Sequence, residues 1–357
     1  MTQLKNQFLR LFRYKKGIFL HNFLFIFLLL GLFGCSSNET SSRVENLKQW
    51  MNPNGKVKVF STTAMIDDLV QQVGGEYVDT LVLIKGELDP HSYQLVKGDD
   101  EKLAFADIIF FNGLGLEHGA SLSTYLNQQK KAIALGNKLQ LDHPELILLY
   151  KGQLDPHIWM DVSLWSQTVP YIVQAISEKD PAHAEQYKTN GDHLIRRMLE
   201  THEHIKNELQ SLPSNQRYLV TSHDAFNYFA RAYLAEKGEN ESSWRLRFVA
   251  PEGLAPESQI SLSDIQATIS HLAQYQIHTI FPESNVNRDS IRKIAQAAKE
   301  KGLEVRIADV YLYADAMGSP GSEESTYLKT MEYNGHTIAS QLKEQPVITT
   351  ENNRDHK

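Results

Sequence analysis

The sequence predicts an α/β fold of two lobes, each with a parallel-type sheet flanked by helices, joined by one long connector helix. Short β-branched segments alternate with helical patterns over residues 56–129, which is typical of parallel sheets built from βαβ units. A polar helical pattern without any strand signal then occupies 181–212, and the alternation restarts after Pro213. A chain of 357 residues has room for two domains of ordinary size.

The N-terminal lobe is assigned to residues 56–180. Its first strand, at 56–62, has alternating and β-branched residues, and the helix at 65–73 carries apolar residues at helical spacing. Gly74 and Gly75 then follow, as is typical of a helix C-terminus. The further elements predicted in this lobe are a strand at 78–84, a helix at 99–105, a strand at 107–111 and a helix at 118–129.

The connector at 181–212 keeps apolar residues at helical spacing, such as Leu194, Met198 and Ile205. A helix of about thirty residues extends roughly 45 Å, longer than one small domain needs. The C-terminal lobe is assigned to 213–345, followed by a polar tail at 346–357 that we expect to fray. The elements predicted in this lobe are strands at 217–221, 279–281 and 303–307 and helices at 225–233, 265–275, 289–301 and 324–342.

The N-terminus reads as a secretory signal segment, residues 1–35. Five basic residues without an acid precede an apolar run at 18–33, and this order is that of a signal peptide. A single-pass membrane anchor is the alternative, because a run of this length nearly spans a bilayer. Residues 36–55 are polar and are expected to be a linker between the membrane and the folded body.

Cys35, the only cysteine, closes the apolar run in Leu-Phe-Gly-Cys. This segment resembles a bacterial lipobox, in which the cysteine is lipidated and becomes the first residue of the mature chain. The resemblance implies an extracytoplasmic protein tethered to a membrane through Cys35. Removal of the signal segment with its five basic residues would lower the formal charge from −7 to −12. A protein with this net negative charge repels nucleic acid.

The tripeptide Asp-Pro-His occurs twice, ending at His91 and at His157. Proline fixes the backbone before each histidine and so limits where the imidazole can point. His223 follows a predicted strand directly, and Asp315 lies in a loop after the last predicted strand. Three imidazoles and a carboxylate suit one Zn²⁺, Mn²⁺ or Fe²⁺ ion as the bound ligand, with two of these residues contributed by each lobe.

The motifs around these residues, taken together and in this order, are specific to one protein family. The chain resembles the substrate-binding lipoproteins of manganese- and zinc-type ABC importers, the cluster A-I group, and most of all its treponemal and chlamydial members. The resemblance spans about residues 56–342. The motifs that carry it are DPHSYQL at 89–95, FNGLGLE at 111–117, DPHIWMD at 155–161, TSHDAFNYF at 221–229, FPESNV at 281–286 and LYADAMG at 312–318.

The resemblance implies metal ligation by His91, His157, His223 and Asp315, two α/β lobes and one connecting helix. It further implies a monomer that delivers its ion to a cognate ABC permease and ATPase. The resemblance does not decide whether the bound metal is zinc, manganese or iron. Zinc-specific members usually carry a loop rich in His and acids before the second ligand, whereas residues 116–154 hold only His118 and His143.

Other candidate residues are given lesser roles. Glu283 is a possible direct ligand. It is a stronger candidate for a second role, in which it accepts a hydrogen bond from the other ring nitrogen of a ligand imidazole. Asp89 and Asp155 are candidates for the same acceptor role. On the connector, His202 and His204 are expected to be solvated, because alternate helix positions do not share a face.

Two other function classes are weighed against metal delivery. A metal-dependent hydrolase would keep an open coordination position and a general base. The His-Glu-x-x-His protease motif is absent from the sequence. An adhesive surface lipoprotein is the third possibility, although no adhesive repeat supports it. We therefore predict no catalytic residue and no enzyme activity.

Overall fold

The computed structural model describes residues 50–256 and 260–344. From Gly55 onward the described residues belong to one compact unit. The predicted signal segment with Cys35, most of the predicted linker and the predicted tail lie outside the described residues. In the part of the chain that is described, no helix is both long and apolar enough to cross a bilayer.

The first sheet is parallel throughout. Its strands are β1 (Val57–Ser61), β2 (Val78–Val82), β3 (Ile108–Phe111) and β4 (Ala132–Ala134). They are ordered β2-β1-β3-β4, and each neighbouring pair is parallel. All five residues of the central strand β1 are buried, as expected where helices cover both faces of a parallel sheet.

Helices connect these strands and continue beyond them. They are α1 (Ala64–Gly74), α2 (Asp99–Phe105), α3 (Ala120–Gln128), α4 (Leu135–Asp142), α5 (Val162–Ser166) and α6 (Val169–Lys179). Between α4 and α5 lies an antiparallel hairpin of β5 (Leu149–Tyr150) and β6 (Gln153–Leu154). The prediction for α2 coincides with the observed bounds, whereas β4, α4, the hairpin, α5 and α6 were not predicted.

The connector is a single helix, α7 (Ala184–Gln210), of 27 residues, which makes it about 40 Å long. The predicted start at 181 is three residues early, because Pro181–His183 form a 3₁₀ turn before the helix begins. Buried side chains recur along α7 from Tyr187 to Leu209. The connector is therefore packed against the body over most of its length.

The second sheet repeats the strand order of the first. Its strands are β7 (Leu219–Val220), β8 (Phe248–Val249), β9 (Thr279–Ile280) and β10 (Arg306–Ile307). β7 pairs in parallel with β8, and β9 with β10. The Phe281 amide donates to the Val220 carbonyl at 2.8 Å and joins the two ladders. The resulting order is β8-β7-β9-β10. In it β7 lies between β8 and β9, just as β1 lies between β2 and β3 in the first sheet.

The helices of the second half are α8 (Asn227–Phe229), α9 (Glu241–Trp244), α10 (Leu262–Tyr275), α11 (Asp289–Glu300) and α12 (Tyr327–Lys343). The predicted helix at 225–233 starts later, at Asn227, and continues as a π-helical turn over Ala230–Leu234. A capping box at Ser261 and Asp264 starts α10, three residues before the predicted position.

The connector α7 packs against α1 of the first half and α12 of the second. The approach is close at Gly335 of α12, where a Cβ atom would lie 2.8 Å from Cγ2 of Ile205 on α7. A smaller apolar cluster packs the second sheet against α10 and α11 around Ile280 and Ile294. These parallel sheets, flanking helices and long connector confirm the predicted fold class. The lobe boundaries at 180 and 213 stay a prediction.

Candidate metal centre

The four predicted ligand residues lie in loops that follow strands. His91 lies between β2 and α2, His157 follows β6, His223 follows β7, and Asp315 lies between β10 and α12. Loops at the carboxyl ends of strands are where α/β sheets bind ligands. The fold thus brings together residues separated by more than two hundred positions in the sequence.

Each Asp-Pro-His tripeptide folds into the same local turn. Oδ1 of Asp89 accepts a hydrogen bond from the His91 amide at 2.8 Å, and Oδ1 of Asp155 accepts one from the His157 amide at 3.0 Å. Aspartates commonly bond their own backbone two residues on. The aspartate therefore closes the turn that presents the histidine, and the proline between them limits its freedom.

The four side chains form one compact group, the His/Asp cluster of His91, His157, His223 and Asp315. One nitrogen or oxygen atom from each lies within 4.8 Å of the others. Nε2 of His223 lies 3.2 Å from Asp315 Oδ2, Nε2 of His157 lies 3.5 Å from Asp315 Oδ1, and the Nε2 atoms of His91 and His157 are 3.3 Å apart. All four residues are buried.

These separations fit a tetrahedral metal site. Zinc binds imidazole nitrogen and carboxylate oxygen at about 2.0–2.2 Å, which places neighbouring ligand atoms of a tetrahedron about 3.3–3.6 Å apart. The Nε2 atoms of His91 and His157 are 3.3 Å apart, and the three Nε2 atoms lie 3.2 to 3.6 Å from one or the other oxygen of Asp315. The cluster has the donor atoms and the size to hold one transition-metal ion.

Two of the imidazoles are oriented through their second ring nitrogen. Nδ1 of His157 lies 2.7 Å from Asp155 Oδ1, and Nδ1 of His223 bonds Glu283 Oε2. A carboxylate only accepts, so each Nδ1 carries a proton, and Nε2 is the ring nitrogen that faces the cluster and binds an ion once it carries no proton. Glu283 is itself fixed by the amides of Ser222 and His223, at 2.8 and 2.9 Å. Asp89, in contrast, bonds the His91 amide and Ser92.

Protonation differs among the cluster residues. Burial lowers the pKa of His91 to about 3, so its ring is neutral at pH 7. Burial also disfavours the charged form of His223, but the negative charges of Glu283 and Asp315 outweigh it and raise the pKa of His223 well above its usual value. Burial alone would raise the pKa of Asp315. The positive charge of His223 dominates and lowers it instead.

The loop that carries Asp315 is held by residues that the sequence did not single out for this task. Nε1 of Trp159 donates to the Ala314 carbonyl at 2.9 Å. Asn334 of α12 accepts from the Tyr313 amide at 3.0 Å and donates to the Tyr313 carbonyl at 2.7 Å. In the sequence Trp159 is visible only as part of the motif DPHIWMD, and Asn334 gives no signal. The Trp159 bond ties the His157 loop to the Asp315 loop.

One expectation about the connector was wrong. His202 was expected to be solvated, but it is buried on α7, with Nδ1 3.2 Å from the Tyr233 hydroxyl and 3.5 Å from Asp161 Oδ1. His204, two positions on, is exposed as expected. The solvation argument failed because α7 is covered on the side of His202 by the turn at Ala230–Leu234. Neither residue belongs to the His/Asp cluster.

The chain matches a known protein family over most of its length. The profile of the family described as "ZnuA: Zinc-uptake complex component A periplasmic" matches residues 59–341. The chain is 38% identical over 321 residues to the metal-binding protein YtgA of Chlamydia pneumoniae, which covers 89% of this chain and 93% of that protein. It is 30% identical over 320 residues to the manganese-binding lipoprotein MntA of Bacillus subtilis, covering 89% and 97%.

A solved structure has the same fold. The crystal structure of Fe(III)-bound YtgA from Chlamydia trachomatis superimposes with a TM-score of 0.76 at 37% sequence identity. The superposition covers 80% of this chain and 98% of that one. These proteins are named for binding or uptake of zinc, manganese or iron, so they give no support to the hydrolase or adhesin alternatives.

Proposed function

The chain belongs to the ZnuA family of periplasmic zinc-uptake components, and from this premise we propose that it captures one transition-metal ion outside the cytoplasm and delivers it to an ABC importer. The family resemblance predicted from six motifs, including its chlamydial branch, is confirmed by the matches to the ZnuA profile and to YtgA. The family is the substrate-binding part of an uptake complex and not an enzyme. A permease and an ATPase are the partners that this role requires.

The proposed ligands are His91, His157, His223 and Asp315. The observation that supports them is the convergence of four buried donor atoms at separations suited to one ion. With four protein donors, a tetrahedral ion keeps no open position for activated water, which favours storage and transfer over hydrolysis. The ion is therefore the cargo of the protein.

The identity of the cargo is proposed as zinc, manganese or iron. Three imidazoles favour zinc and iron, whereas a carboxylate that binds through both oxygens extends the site to manganese. The relatives carry all three names: zinc for the family, manganese for MntA and Fe(III) for the chlamydial structure. Affinity alone does not decide among them, because zinc binds most such sites more tightly than manganese or Fe²⁺.

Elemental analysis of the full chain, purified from its native host without added metal, tests the function. We expect one zinc, manganese or iron ion per chain. The double variant His91→Ala, Asp315→Ala should lose it, and His204→Ala, which changes an exposed histidine away from the cluster, should keep it. Absence of metal from the wild-type protein, even after reconstitution with Zn²⁺, Mn²⁺, Fe²⁺ and Fe³⁺, would refute the delivery function.

We further propose that the protein is a monomer anchored to a membrane through a lipid on Cys35. The lipobox-like sequence supports the anchor, and the Bacillus relative is named a lipoprotein. Mass spectrometry of the N-terminal peptide should find an acylated Cys35, and Cys35→Ser should release the protein from membranes. An unmodified N-terminus beginning at Met1 would favour the membrane-spanning alternative instead.

A further inference from the structure

Asp155, the carboxylate that bonds His157, is held at both of its oxygens. Oδ1 accepts hydrogen bonds from the His157 amide at 3.0 Å and from Nδ1 of the His157 ring at 2.7 Å. Oδ2 accepts a hydrogen bond from the side-chain amide of Asn227 at 3.0 Å. Asp155 and His157 are fully buried, and Asn227 is 6% exposed. The orientation of the His157 ring therefore depends on a carboxylate that Asn227 helps to fix.

The contacts of Asn227 determine which end of its side-chain amide faces Asp155. Nδ2 of Asn227 lies 3.0 Å from Asp155 Oδ2 and 3.1 Å from the carbonyl oxygen of Asp224. Both of these oxygens accept hydrogen bonds, so the NH₂ group and not the amide oxygen points towards them. The two N–H groups of Asn227 thus bridge Asp155 to the backbone beside His223.

Asn227 and Asp155 lie on opposite sides of the connector α7 in the sequence. Asp155 follows β6, before α7, whereas Asn227 begins α8, which follows β7. The next residue of α8, Tyr228, donates from its hydroxyl to the Asp155 carbonyl at 3.0 Å, and the same hydroxyl accepts from the Leu148 amide at 2.9 Å. Two consecutive residues of α8 therefore hold Asp155, one through its side chain and one through its backbone.

The support of His223 is built differently. Its acceptor, Glu283, lies after α7 like His223 itself and is fixed by the amides of Ser222 and His223. The support of His157 instead crosses from the second half of the chain to the first. Because α8 begins four residues after His223, the segment that presents this ligand also carries the donor that fixes the acceptor of His157.

Loss of the Asn227 donor would leave Asp155 Oδ2 buried without this hydrogen bond, which is unfavourable. The carboxylate could then turn about its Cβ–Cγ bond towards another donor. The hydrogen bond from Nδ1 of His157 would lose its alignment, and the ring would no longer be held with Nε2 towards the other proposed ligands. Asn227 is thus in a position to control a metal ligand that it does not touch.

Resting on the proposed function, we infer that Asn227 is a positioning residue for metal binding, which acts through Asp155 on His157. The segment 223–227 supplies one ligand, His223, and orients another, His157, that belongs to the other half of the chain. A displacement of this segment therefore weakens two metal ligands at once. This coupling allows a small relative movement of the two halves to release the ion.

Competition titration of the full chain with Zn²⁺ and a chelator tests this inference. In Asn227→Leu, which keeps a similar side-chain size but has no donor, we expect the Zn²⁺ affinity to fall about tenfold. Asn227→Ala removes the donor without adding apolar bulk and should show the same loss. The matched control is Asn207→Leu, at an exposed position of α7, which should keep the wild-type affinity.

A double-mutant cycle shows whether Asn227 acts through Asp155. Asp155→Ala should itself lower the Zn²⁺ affinity about 10- to 100-fold, because the His157 ring loses its acceptor. Adding Asn227→Leu to Asp155→Ala should lower the affinity further by about twofold or less. A further tenfold loss would overturn the inference, since Asn227 would then affect metal binding by another route.

Proton NMR of the Zn²⁺-loaded protein gives a signature that a purely structural role would not produce. The Nδ1 proton of His157, bonded to a buried carboxylate, should resonate far downfield and disappear in Asp155→Ala. Asn227→Leu should shift this resonance and leave that of the His223 Nδ1 proton in place. Wild-type affinity in both Asn227 variants, or an unshifted His157 resonance, would overturn the positioning role. A wild-type protein that binds no ion would instead refute the proposed function.

Discussion

His223 lies between two carboxylates, with Glu283 at Nδ1 and Asp315 at Nε2. In Glu283→Gln the amide oxygen can serve the Ser222 and His223 amides, but its NH₂ group then faces Nδ1. The ring proton must move to Nε2, which faces the ion. We expect metal affinity to fall about 10- to 100-fold. Competition titration with a zinc chelator measures this, and Glu300→Gln, an exposed acid on α11, is the control. An unchanged affinity would show that Glu283 does not set the tautomer.

The raised pKa of His223 predicts that metal capture releases a proton. In the metal-free protein His223 holds a proton at neutral pH, and the ion must displace it. Apparent affinity should therefore fall as the pH is lowered from about 8 to about 5.5. His91, whose pKa is about 3, contributes nothing to this dependence. Calorimetry in buffers of different ionisation enthalpy counts the protons released on metal binding. A titration with no proton release and no pH dependence would contradict the assignment of His223 as a protonated residue that becomes a metal ligand.

The four proposed ligands could be predicted from the sequence, whereas the residues that hold them in place could not. His91, His157, His223 and Asp315 lie in short motifs whose spacing is visible in one sequence. The bond from Trp159 to Ala314 joins positions 155 residues apart, and no local pattern encodes such a contact. The burial of His202 was missed for the same reason, since the turn that covers it comes from a distant part of the chain.

Among the elements, the close crossing of α7 and α12 depends on Gly335. In Gly335→Ala the new methyl group would meet Ile205 Cγ2 at 2.8 Å. Overpacking of this kind costs about 1 to 3 kcal/mol, and the better helix propensity of alanine returns about 1 kcal/mol. We expect the free energy of unfolding to fall by about 1 kcal/mol in urea denaturation.

The cause of that loss can be isolated with a double-mutant cycle. Ile205→Ala removes the side-chain atoms that the Gly335→Ala methyl group would meet. The two changes together should therefore cost less than the sum of the separate losses. Strict additivity would mean that the methyl group does not disturb the α7–α12 contact.

Several short elements between β3 and α7 were not predicted, and neither was the eleven-residue helix α6. α2 and the strand-helix order of the first half follow from alternation and helical spacing. β4 has three residues, β5 and β6 have two each, and α5 has five. Segments shorter than about two helical turns carry too few residues for a periodic signal, and tertiary contacts decide their conformation.

At the scale of the whole molecule, α7 is packed along its length against α1 and α12. A rigid helix shared by both halves permits small relative movements and opposes a wide hinge opening. We expect the X-ray scattering profiles of the metal-free and metal-loaded proteins to superimpose within error. A large contraction on metal binding, like that of hinged sugar-binding proteins, would contradict the stiff connector.

Metal binding should also stabilise the fold as a whole, because the His/Asp cluster joins loops from both sheets. A ligand that binds only the folded state adds about 2.7 kcal/mol when its free concentration is one hundred times the dissociation constant. We expect Zn²⁺ to raise the melting temperature of the wild type in differential scanning calorimetry. The His91→Ala, Asp315→Ala variant should show no such rise, and an equal rise in both would place the ion elsewhere.

Three buried carboxylates belong to the proposed metal centre: Asp315 is a proposed ligand, and Asp155 and Glu283 bond two of the imidazoles. With neutral rings, a divalent ion leaves this buried group with one surplus negative charge, and a trivalent ion makes it neutral. Uncompensated buried charge is unfavourable. An iron ion held here is therefore stabilised more as Fe(III) than as Fe(II), which lowers its reduction potential below that of the hydrated ion.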